Sequence, residues 1–540
     1  MKKASPNSDL SKALTRLTEL GGSNMLERAE RRELPRAHGV DRYVALLFGA
    51  LAERRSVLLL GPPGVGKSAV LWEAAHRLSR GEAPAELGQQ TIVQFTTTRI
   101  EAGAMNAGIW ANNLRAVLDA VFQGKSIILY LDNIADLRDA GRYTGQTESF
   151  ATFLKPYLQR RQLILLGEAT PEQYTRSGAF EARGKNFALA EDRSLVDLFT
   201  VIRVDEPDLA ATRGILQKVA LDLESEHNVR VPAATIERAL DVTRRFLRYQ
   251  VFPGKAVRLL AQVARDHSLA ANPTGQGASR PVIDPNALMA GFAKLTGLPE
   301  PMFSDTIPLR RDEVEAYFGE RVVGQEEAVR SVVDLVLLIK AELTNPGKPL
   351  GVLFFVGPTG SGKTMLAKTL AAFLFGSEAR LIRFDMSEYQ QPDQLASLTA
   401  RLVEQVRQET FSVVLLDEIE KASPFVFHLF LQAFDDARLT DPLGRTVDLR
   451  NTIIILTSNL GSELGQRRGV LGFAGAERDA SPHSRLVAQV EEALKGYFRP
   501  EFLNRLDRIV VFRALDRADM RRIARREVGK ALQREGLERR

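Results

Sequence analysis

Two glycine-rich stretches have the residue types and the spacing needed to bind phosphate. GPPGVGKS at 61–68 and GPTGSGKT at 357–364 each follow a short apolar run, which predicts a strand, a loop and a helix. Glycines let backbone N–H groups point at phosphate oxygens, the lysine reaches the β- and γ-phosphates, and the next hydroxyl binds Mg²⁺. The sequence therefore predicts two sites for ATP and Mg²⁺. The candidate nucleotide-binding residues are Gly61, Gly64, Gly66, Lys67, Ser68, Gly357, Gly360, Gly362, Lys363 and Thr364, with Ser68 and Thr364 also as metal ligands.

Carboxylates at the ends of two apolar runs distinguish the two sites from each other. In SVVLLDEIEKA at 412–422, Asp417 would hold the metal through water and Glu418 would activate the attacking water. The run SIILYLDN keeps Asp132 as a metal residue but has Asn133 in place of the base, and an amide cannot usefully accept a proton at neutral pH. We therefore expect hydrolysis mainly at the second site, while the first binds nucleotide and hydrolyses it poorly.

The composition is that of a globular protein of three or four domains. Hydrophobic residues make up 44% and charged residues 26% of 540 residues. No apolar run approaches the roughly 18 residues of a membrane span, and the start MKKASPNSDL lacks the apolar core of a secretory signal. The absence of cysteine excludes a disulfide framework and thiolate chemistry. We expect a cytoplasmic protein.

The positive charge of the chain is concentrated at its end. The net charge is +6, and residues 517–540 carry nine Lys and Arg against four Asp and Glu, which gives +5. Met520, Ile523, Val528 and Leu532 recur near helical spacing there, which favours an amphipathic helix over a nucleic-acid patch. We therefore expect no nucleic-acid partner and no membrane partner, and a DNA-associated motor is the least supported class.

Longer motifs carry a family resemblance. The second half is similar, almost word for word, to the Clp-type tandem AAA+ ATPases, the ATP-driven unfoldases and disaggregases typified by ClpA, ClpB and ClpC. The first half resembles their first module more loosely. The matching strings are VVGQEEAV, FDMSEY, LLDEIEKA, DDARLTDPLGRTVDLRNTIIILTSNLGS and FRPEFLNRLD in the second half, and GVGKSAVLWEAAHRL, FLKPYLQ, EHNVRV and FPGKAVRLL in the first.

This resemblance implies an α/β fold of two P-loop AAA+ modules, each a parallel sheet flanked by helices, with a helical lid after the first. It implies that Asn459 is the sensor that positions water and that Arg505 is an arginine finger reaching a neighbouring subunit. The active form would then be a homo-oligomer, a hexameric ring acting on protein partners. The expected segments are a lead-in at 1–40, the first module at 41–205, its lid at 206–298, a linker at 299–321, the second module at 322–515 and a basic helical tail with a truncated lid at 516–540.

Departures from the family pattern bear on how such a protein would act on a partner. The family grips its substrate with an aromatic pore-loop residue, but Asn106 falls at that position, and we expect Trp110 nearby to pack in the interior. Only 22 residues, Gln390 to Phe411, occupy the place of the second pore loop, and 393–408 have the spacing of a helix.

The first module and the C-terminal region depart further. Asp197 and Leu198 replace its two finger arginines, and Ala169 and Thr170 stand at its sensor. We therefore expect a chaperone that remodels proteins with its second site. The alternative is a nucleotide-gated scaffold that does not thread polypeptide. Leu471, Gly472 and Phe473 match a tripeptide by which some members dock on a ClpP-like protease, although such a loop could equally fold back on its own module.

Overall fold

Short apolar runs in both halves of the chain form buried parallel strands, as the sequence predicts. The computed structural model divides into two compact units, Met1–Leu288 and Met289–Arg540. Within the described part of the chain, no helix is long and apolar enough to cross a membrane. The structure describes residues 6–96, 107–132, 134, 137, 140, 149–175, 193–271, 280–302, 307–442, 444–460 and 482–532.

The first unit contains a six-stranded sheet whose order is β1-β3-β4-β5-β2-β6. Only β1 runs antiparallel to its neighbour. Along β2, Val57 and Leu59 face one hydrophobic cluster while Leu58 and Leu60 face another, which explains the continuous apolar run. The strands are β1 Ser23–Asn24, β2 Ser56–Leu60, β3 Thr91–Phe95, β4 Ile127–Leu131, β5 Leu165–Ala169 and β6 Phe199–Arg203.

Helices flank this sheet and then continue as a helical lid. The lid's third helix, α11, begins beside the first phosphate loop, because the Gly254 N–H donates to the Gly64 carbonyl at 3.0 Å. A Cβ added to Gly254 would lie 2.4 Å from that oxygen. The helices are α1 Pro6–Glu19, α2 Met25–Glu30, α3 Asp41–Ala52, α4 Lys67–Ser79, α5 Ala107–Gly124, α6 Phe150–Gln159, α7 Pro171–Thr175, α8 Arg193–Val196, α9 Leu209–His227, α10 Ala233–Phe246, α11 Gly254–Ala271 and α12 Pro285–Thr296, which contains the boundary between the units.

Trp110 packs in the interior of the first unit, which confirms that prediction. Its side chain is fully buried, and its ring lies 4.9 Å from the ring of Phe150 and 6.1 Å from that of Phe153, measured between centroids. Asn106, the residue aligned with the gripping aromatic, lies outside the described residues.

The second unit contains a five-stranded sheet in the order β13-β7-β12-β9-β8, and every pair is parallel. A short antiparallel hairpin of β10 and β11 lies beside it. All residues of β7, β9 and β12 are buried, as in a sheet covered on both faces. The strands are β7 Gly351–Val356, β8 Leu381–Asp385, β9 Ser412–Asp417, β10 Arg438–Thr440, β11 Thr446–Asp448, β12 Thr452–Ser458 and β13 Arg508–Val511.

A helix occupies most of the segment between β8 and β9. Helix α16 runs from Leu395 to Gln408 and buries Leu398, Leu402 and Val406 at helical spacing, which confirms the predicted helix over 393–408. The helices of the second unit after α12 are α13 Arg311–Arg321, α14 Glu326–Lys340, α15 Lys363–Phe375, α16 Leu395–Gln408, α17 Pro424–Asp436, α18 Pro482–Tyr497, α19 Pro500–Leu503 and α20 Arg517–Leu532.

The basic tail forms the predicted helix, α20, but the best-buried of its described side chains is an acid. Met520 and Val528 are more than half exposed, whereas Asp519 is 1% exposed. The carboxylate of Asp519 binds the guanidinium groups of Arg522 at 2.6 Å and Arg513 at 2.7 Å. It also accepts from the Asp516 N–H, while Asp516 accepts from the Asp519 N–H. This reciprocal pair caps the N-terminus of the helix.

Asp519 therefore gives the second unit a stability that depends on pH. Burial alone would raise the pKa of Asp519, but the hydrogen bonds from Arg522, Arg513 and the Asp516 N–H outweigh it and lower the pKa to about 2 from 3.8. Because the pKa is lower in the folded state, the stabilisation is present above pH 3.8 and is lost as the pH falls towards 2.

We expect Asp519→Asn to lower the free energy of unfolding of the second unit by about 1–3 kcal/mol at neutral pH, since two guanidinium groups lose their carboxylate. Urea unfolding, with hydrogen exchange of peptides covering α20, measures this change. The loss of unfolding free energy caused by the substitution should be smaller near pH 3. Asp393→Asn, at an exposed position, is the matched control. An equal deficit at both pH values would contradict the assignment.

Candidate nucleotide-binding and hydrolysis sites

The two phosphate loops have the same backbone design. Each joins a buried strand to a 13-residue helix, and the loop glycine before the helix, Gly66 or Gly362, has a left-handed backbone with φ of 110° or 103°. Side chains other than glycine are strained in this conformation. Parallel sheets bind ligands beyond the carboxyl ends of their strands. Both loops, including Gly61 and Gly64 in the first and Gly357 and Gly360 in the second, lie at such an end.

Each loop lysine lies over its own loop. Lys67 Nζ donates to the carbonyls of Gly61 at 2.8 Å and Pro62 at 3.1 Å. Lys363 Nζ donates to those of Gly357 at 2.6 Å and Pro358 at 3.1 Å. Both lysines are only 8% exposed.

Burial lowers the pKa of both loop lysines, but the opposing charges differ. Nearby carboxylates of Asp417, Glu420 and Glu418 counteract the effect on Lys363. Glu168 does so for Lys67. Among the described residues, three acidic side chains thus act on the second ammonium group and one acts on the first.

The second site brings its predicted residues together. Lys363 Nζ donates to Asn459 Oδ1 at 2.8 Å, and Asn459 Nδ2 lies 3.4 Å from Glu418 Oε1. Glu418 adopts a left-handed backbone with φ of 56°, an unusual conformation for a residue with a side chain. Asp417 lies at the end of β9 and is 9% exposed. Thr364 follows Lys363 on the first turn of α15.

Two neighbours of the second site were missed by sequence reasoning. The Thr457 hydroxyl donates to Asp417 Oδ1 and accepts from the Glu418 N–H, so one side chain joins both acidic residues. Arg383 Nη2 lies 2.5 Å from Asp417 Oδ2. Arg383 belongs to the string before FDMSEY, but nothing in its sequence position indicates that it reaches the next strand.

Glu418 and its neighbour Glu420 are also held by local contacts. Lys421 Nζ lies 2.5 Å from Glu418 Oε2. Glu420 Oε1 accepts from the Asn459 N–H at 3.0 Å, while its other oxygen is buried without a hydrogen-bond partner among the described residues. The backbone N–H and the side-chain NH₂ of Asn459 therefore both contact acidic side chains.

Arg505 is not brought to the second site of its own chain. Its guanidinium pairs with Asp435 and donates to the Glu501 carbonyl. The side chains of Arg505 and Asp435 are 32% and 39% exposed, so the pair lies at the surface of the unit.

The first site is arranged around a glutamate that sequence reasoning missed. Ser68 Oγ donates to Glu168 Oε2 at 3.1 Å, and the Tyr130 hydroxyl donates to Glu168 Oε1 at 2.7 Å. Glu168 is 8% exposed, and burial raises its pKa despite these hydrogen bonds and the charge of Lys67. Asp132 is exposed at the end of β4. The signal for Glu168 was a carboxylate within the otherwise apolar strand LLGEA.

The structure describes three of the other residues that the sequence singled out in the first module. Thr170 caps the short helix α7, because its hydroxyl accepts from the Gln173 N–H. Asp197 is exposed, and Leu198 packs against the hydrophobic core of the unit. Asn133, like Leu471, Gly472 and Phe473, lies outside the described residues.

The donor atoms fit ATP and Mg²⁺ chemically. Each loop offers an ammonium group and a helix N-terminus to phosphate. The candidate metal donors are hydroxyl and carboxylate oxygens, which Mg²⁺ prefers. They are Ser68 and Asp132 in the first site and Thr364 and Asp417 in the second.

Three protein-family models match the chain in tandem. Residues 57–171 match the "ATPase family associated with various cellular activities (AAA)", residues 208–278 match an "AAA lid domain", and residues 348–509 match the "AAA domain (Cdc48 subfamily)". These ranges contain both phosphate loops and the helical lid.

Curated relatives and solved structures extend the match over most of the chain. The ATP-dependent Clp protease ATP-binding subunit ClpC of Staphylococcus aureus is 30% identical over 91% of this chain and 67% of its own length. The chloroplastic chaperone protein ClpC2 of Arabidopsis thaliana is 30% identical over 93% of this chain and 60% of its own length. A Saccharomyces cerevisiae Hsp104:casein complex superposes with a TM-score of 0.69 at 28% identity, covering 96% of this chain and 87% of that one.

Sequence motifs, α/β architecture and relatives therefore agree, and they confirm the α/β fold of two modules and the ATPase activity expected from the sequence. The chain belongs to the Clp-type tandem AAA+ ATPases.

Proposed function

We propose that this protein remodels protein partners with energy from ATP hydrolysis at its second site, while its first site binds nucleotide to stabilise assembly. The observation that carries the proposal is the difference between the sites. In the second, Lys363, Asn459 and Glu418 form a continuous series of contacts. In the first, the loop serine contacts a buried glutamate instead.

The second site has the groups needed for hydrolysis of the terminal phosphate. Glu418 is the proposed base for the attacking water, and Asn459, which lies between the base and Lys363, positions that water. Thr364 and, through water, Asp417 would hold Mg²⁺. The metal supplies positive charge that stabilises the phosphates.

The position of Arg505 supports the proposal that the protein assembles into a ring. An exposed ion pair contributes only about 0.2–1 kcal/mol, so Asp435 can release Arg505 to a nucleotide bound by a neighbouring copy. A guanidinium there would stabilise the charge of the transition state. A hexameric ring in the cytoplasm, acting on protein substrates, is the form we propose.

Helix α16 favours a second candidate function, a nucleotide-gated scaffold that does not thread polypeptide. The helix fills most of the segment where the family has its second pore loop, and its apolar side chains point into the core of the unit. A further role in docking on a ClpP-like protease rests on the tripeptide Leu471, Gly472 and Phe473 alone.

We expect Lys363→Ala to lower ATP turnover by at least roughly 100-fold, because a buried cation that faces the phosphates is lost. Lys67→Ala should change turnover far less and instead raise the protein concentration needed for assembly. Phosphate release and sedimentation velocity measure the two effects. The reverse ranking would show that the roles of the sites were exchanged.

We expect Arg383→Gln to lower the Mg²⁺ concentration needed for half-maximal turnover. The guanidinium competes with the metal for Asp417, and since Arg383 is 55% exposed, the change should be roughly two- to fivefold. Arg401→Gln removes an exposed arginine that pairs with Glu388 and is the matched control. An unchanged or higher Mg²⁺ requirement would contradict this competition.

Remodelling itself is tested with a fluorescent protein that carries an unfolded peptide tag. We expect the full chain with ATP to unfold it, and Glu418→Gln, which should retain ATP without turnover, to leave it intact. Normal ATP turnover without unfolding would contradict threading and favour the scaffold.

A further inference from the structure

Glu168 and Thr457 occupy the same position in the two sheets. In the first sheet Glu168 lies opposite Leu59, one pair before the end of β2. In the second, Thr457 lies opposite Phe355, one pair before the end of β7. Each phosphate loop starts directly after its central strand, so the two side chains stand at the same distance along the strand from their loops.

These equivalent residues make different contacts. Thr457 is neutral and contacts the acidic residues Asp417 and Glu418. Glu168 instead reaches Ser68, the metal-ligand candidate of its own loop. Its site therefore places a second carboxylate beside the loop, in addition to Asp132, where the second site has a hydroxyl.

Both oxygens of Glu168 are already engaged. One accepts from Ser68 and the other from Tyr130, a residue that is 3% exposed. The position equivalent to Tyr130 in β9 is Leu415, two residues before Asp417, so the second site has no such support. A carboxylate held at both oxygens is fixed in place and is suited to orienting a neighbour.

The hydrogen bond that Ser68 donates to Glu168 fixes the direction of the lone pairs on the Ser68 hydroxyl. A serine hydroxyl has one proton and two lone pairs, and when the proton points at Glu168 the lone pairs are left for a cation. Acceptors that orient a metal ligand in this way raise metal affinity in other proteins. The same negative charge repels phosphate when no metal is present.

We propose that Glu168 is a positioning residue for the metal of the first site and that it makes nucleotide binding there depend on Mg²⁺. This inference rests on the proposed function, because it requires the first site to bind nucleotide. With Mg²⁺ bound, Glu168 orients Ser68 and adds attraction for the cation. Without Mg²⁺, Glu168 and Asp132 both oppose the charge of the phosphates.

The test is a fluorescence titration with N-methylanthraniloyl-ADP, using the full chain that carries Lys363→Ala to weaken the second site. A chain with both Lys67→Ala and Lys363→Ala defines the baseline. In the Lys363→Ala chain, Glu168→Gln should bind the probe more tightly in EDTA and no more tightly in excess MgCl₂. The dissociation constant in EDTA divided by that in MgCl₂ should fall by about tenfold, since one buried charge is removed.

A stability check and a control variant separate the effect of charge from an effect on structure. Glutamine can keep a hydrogen bond to each hydroxyl, because its oxygen accepts from one and its NH₂ donates to the other, so Glu168→Gln is expected to fold, and thermal unfolding of the variant checks this. Exposed Glu86→Gln removes the same charge elsewhere and should leave the ratio unchanged.

Two results would overturn the inference, and they are distinguishable. If Glu168→Gln weakens binding equally with and without Mg²⁺, or leaves the ratio unchanged, the residue has only a structural role. If the Lys363→Ala chain binds no more probe in MgCl₂ than the doubly substituted chain, the first site does not bind nucleotide. That outcome would overturn the proposed function of the site, and this inference with it.

Discussion

A lysine ammonium group buried over its own glycine-rich loop is the constraint on which both sites depend. Lys67 and Lys363 each donate to two backbone carbonyls of their loops, and this holds each loop in a curve. The cost is a charge withdrawn from water, which is unfavourable unless opposite charge lies close by. The ends of the neighbouring strands must provide that charge, so the acidic residues there serve the fold of the loop as well as its chemistry.

The two modules meet this constraint in different ways. Beside Lys363, three acidic residues share the task, and Asn459 connects the ammonium group to one of them, Glu418. Beside Lys67, Glu168 is the acidic residue that acts on the ammonium group. The acidic groups that act on the loop lysine therefore come from the end of β9 and the residues after it in the second module, and from β5 in the first.

Sequence reasoning predicted the parts of the structure that are set by local pattern. The strand, loop and helix order around both lysines, the helix at 393–408 and the burial of Trp110 follow from spacing and apolar character. Glu168 and Arg383 were not predicted as site residues, because their contacts depend on strand register and side-chain direction. Two adjacent strands must be aligned before a residue of one can be placed against a residue of the other, and the sequence does not state that alignment.

The two phosphate loops are also attached to the rest of their units in different ways. In the second unit Gln325, which is 3% exposed, joins the Ser361 carbonyl to the backbone of Arg513, so a side chain fixes that loop to the end of β13. In the first unit the loop bonds directly to Gly254 at the start of lid helix α11. Because two glycine backbones meet there, a shift of the loop acts on the lid without an intervening side chain. Such a direct connection suits the role in assembly proposed for the first site, and a loop held by a side chain of its own unit suits the hydrolytic role proposed for the second.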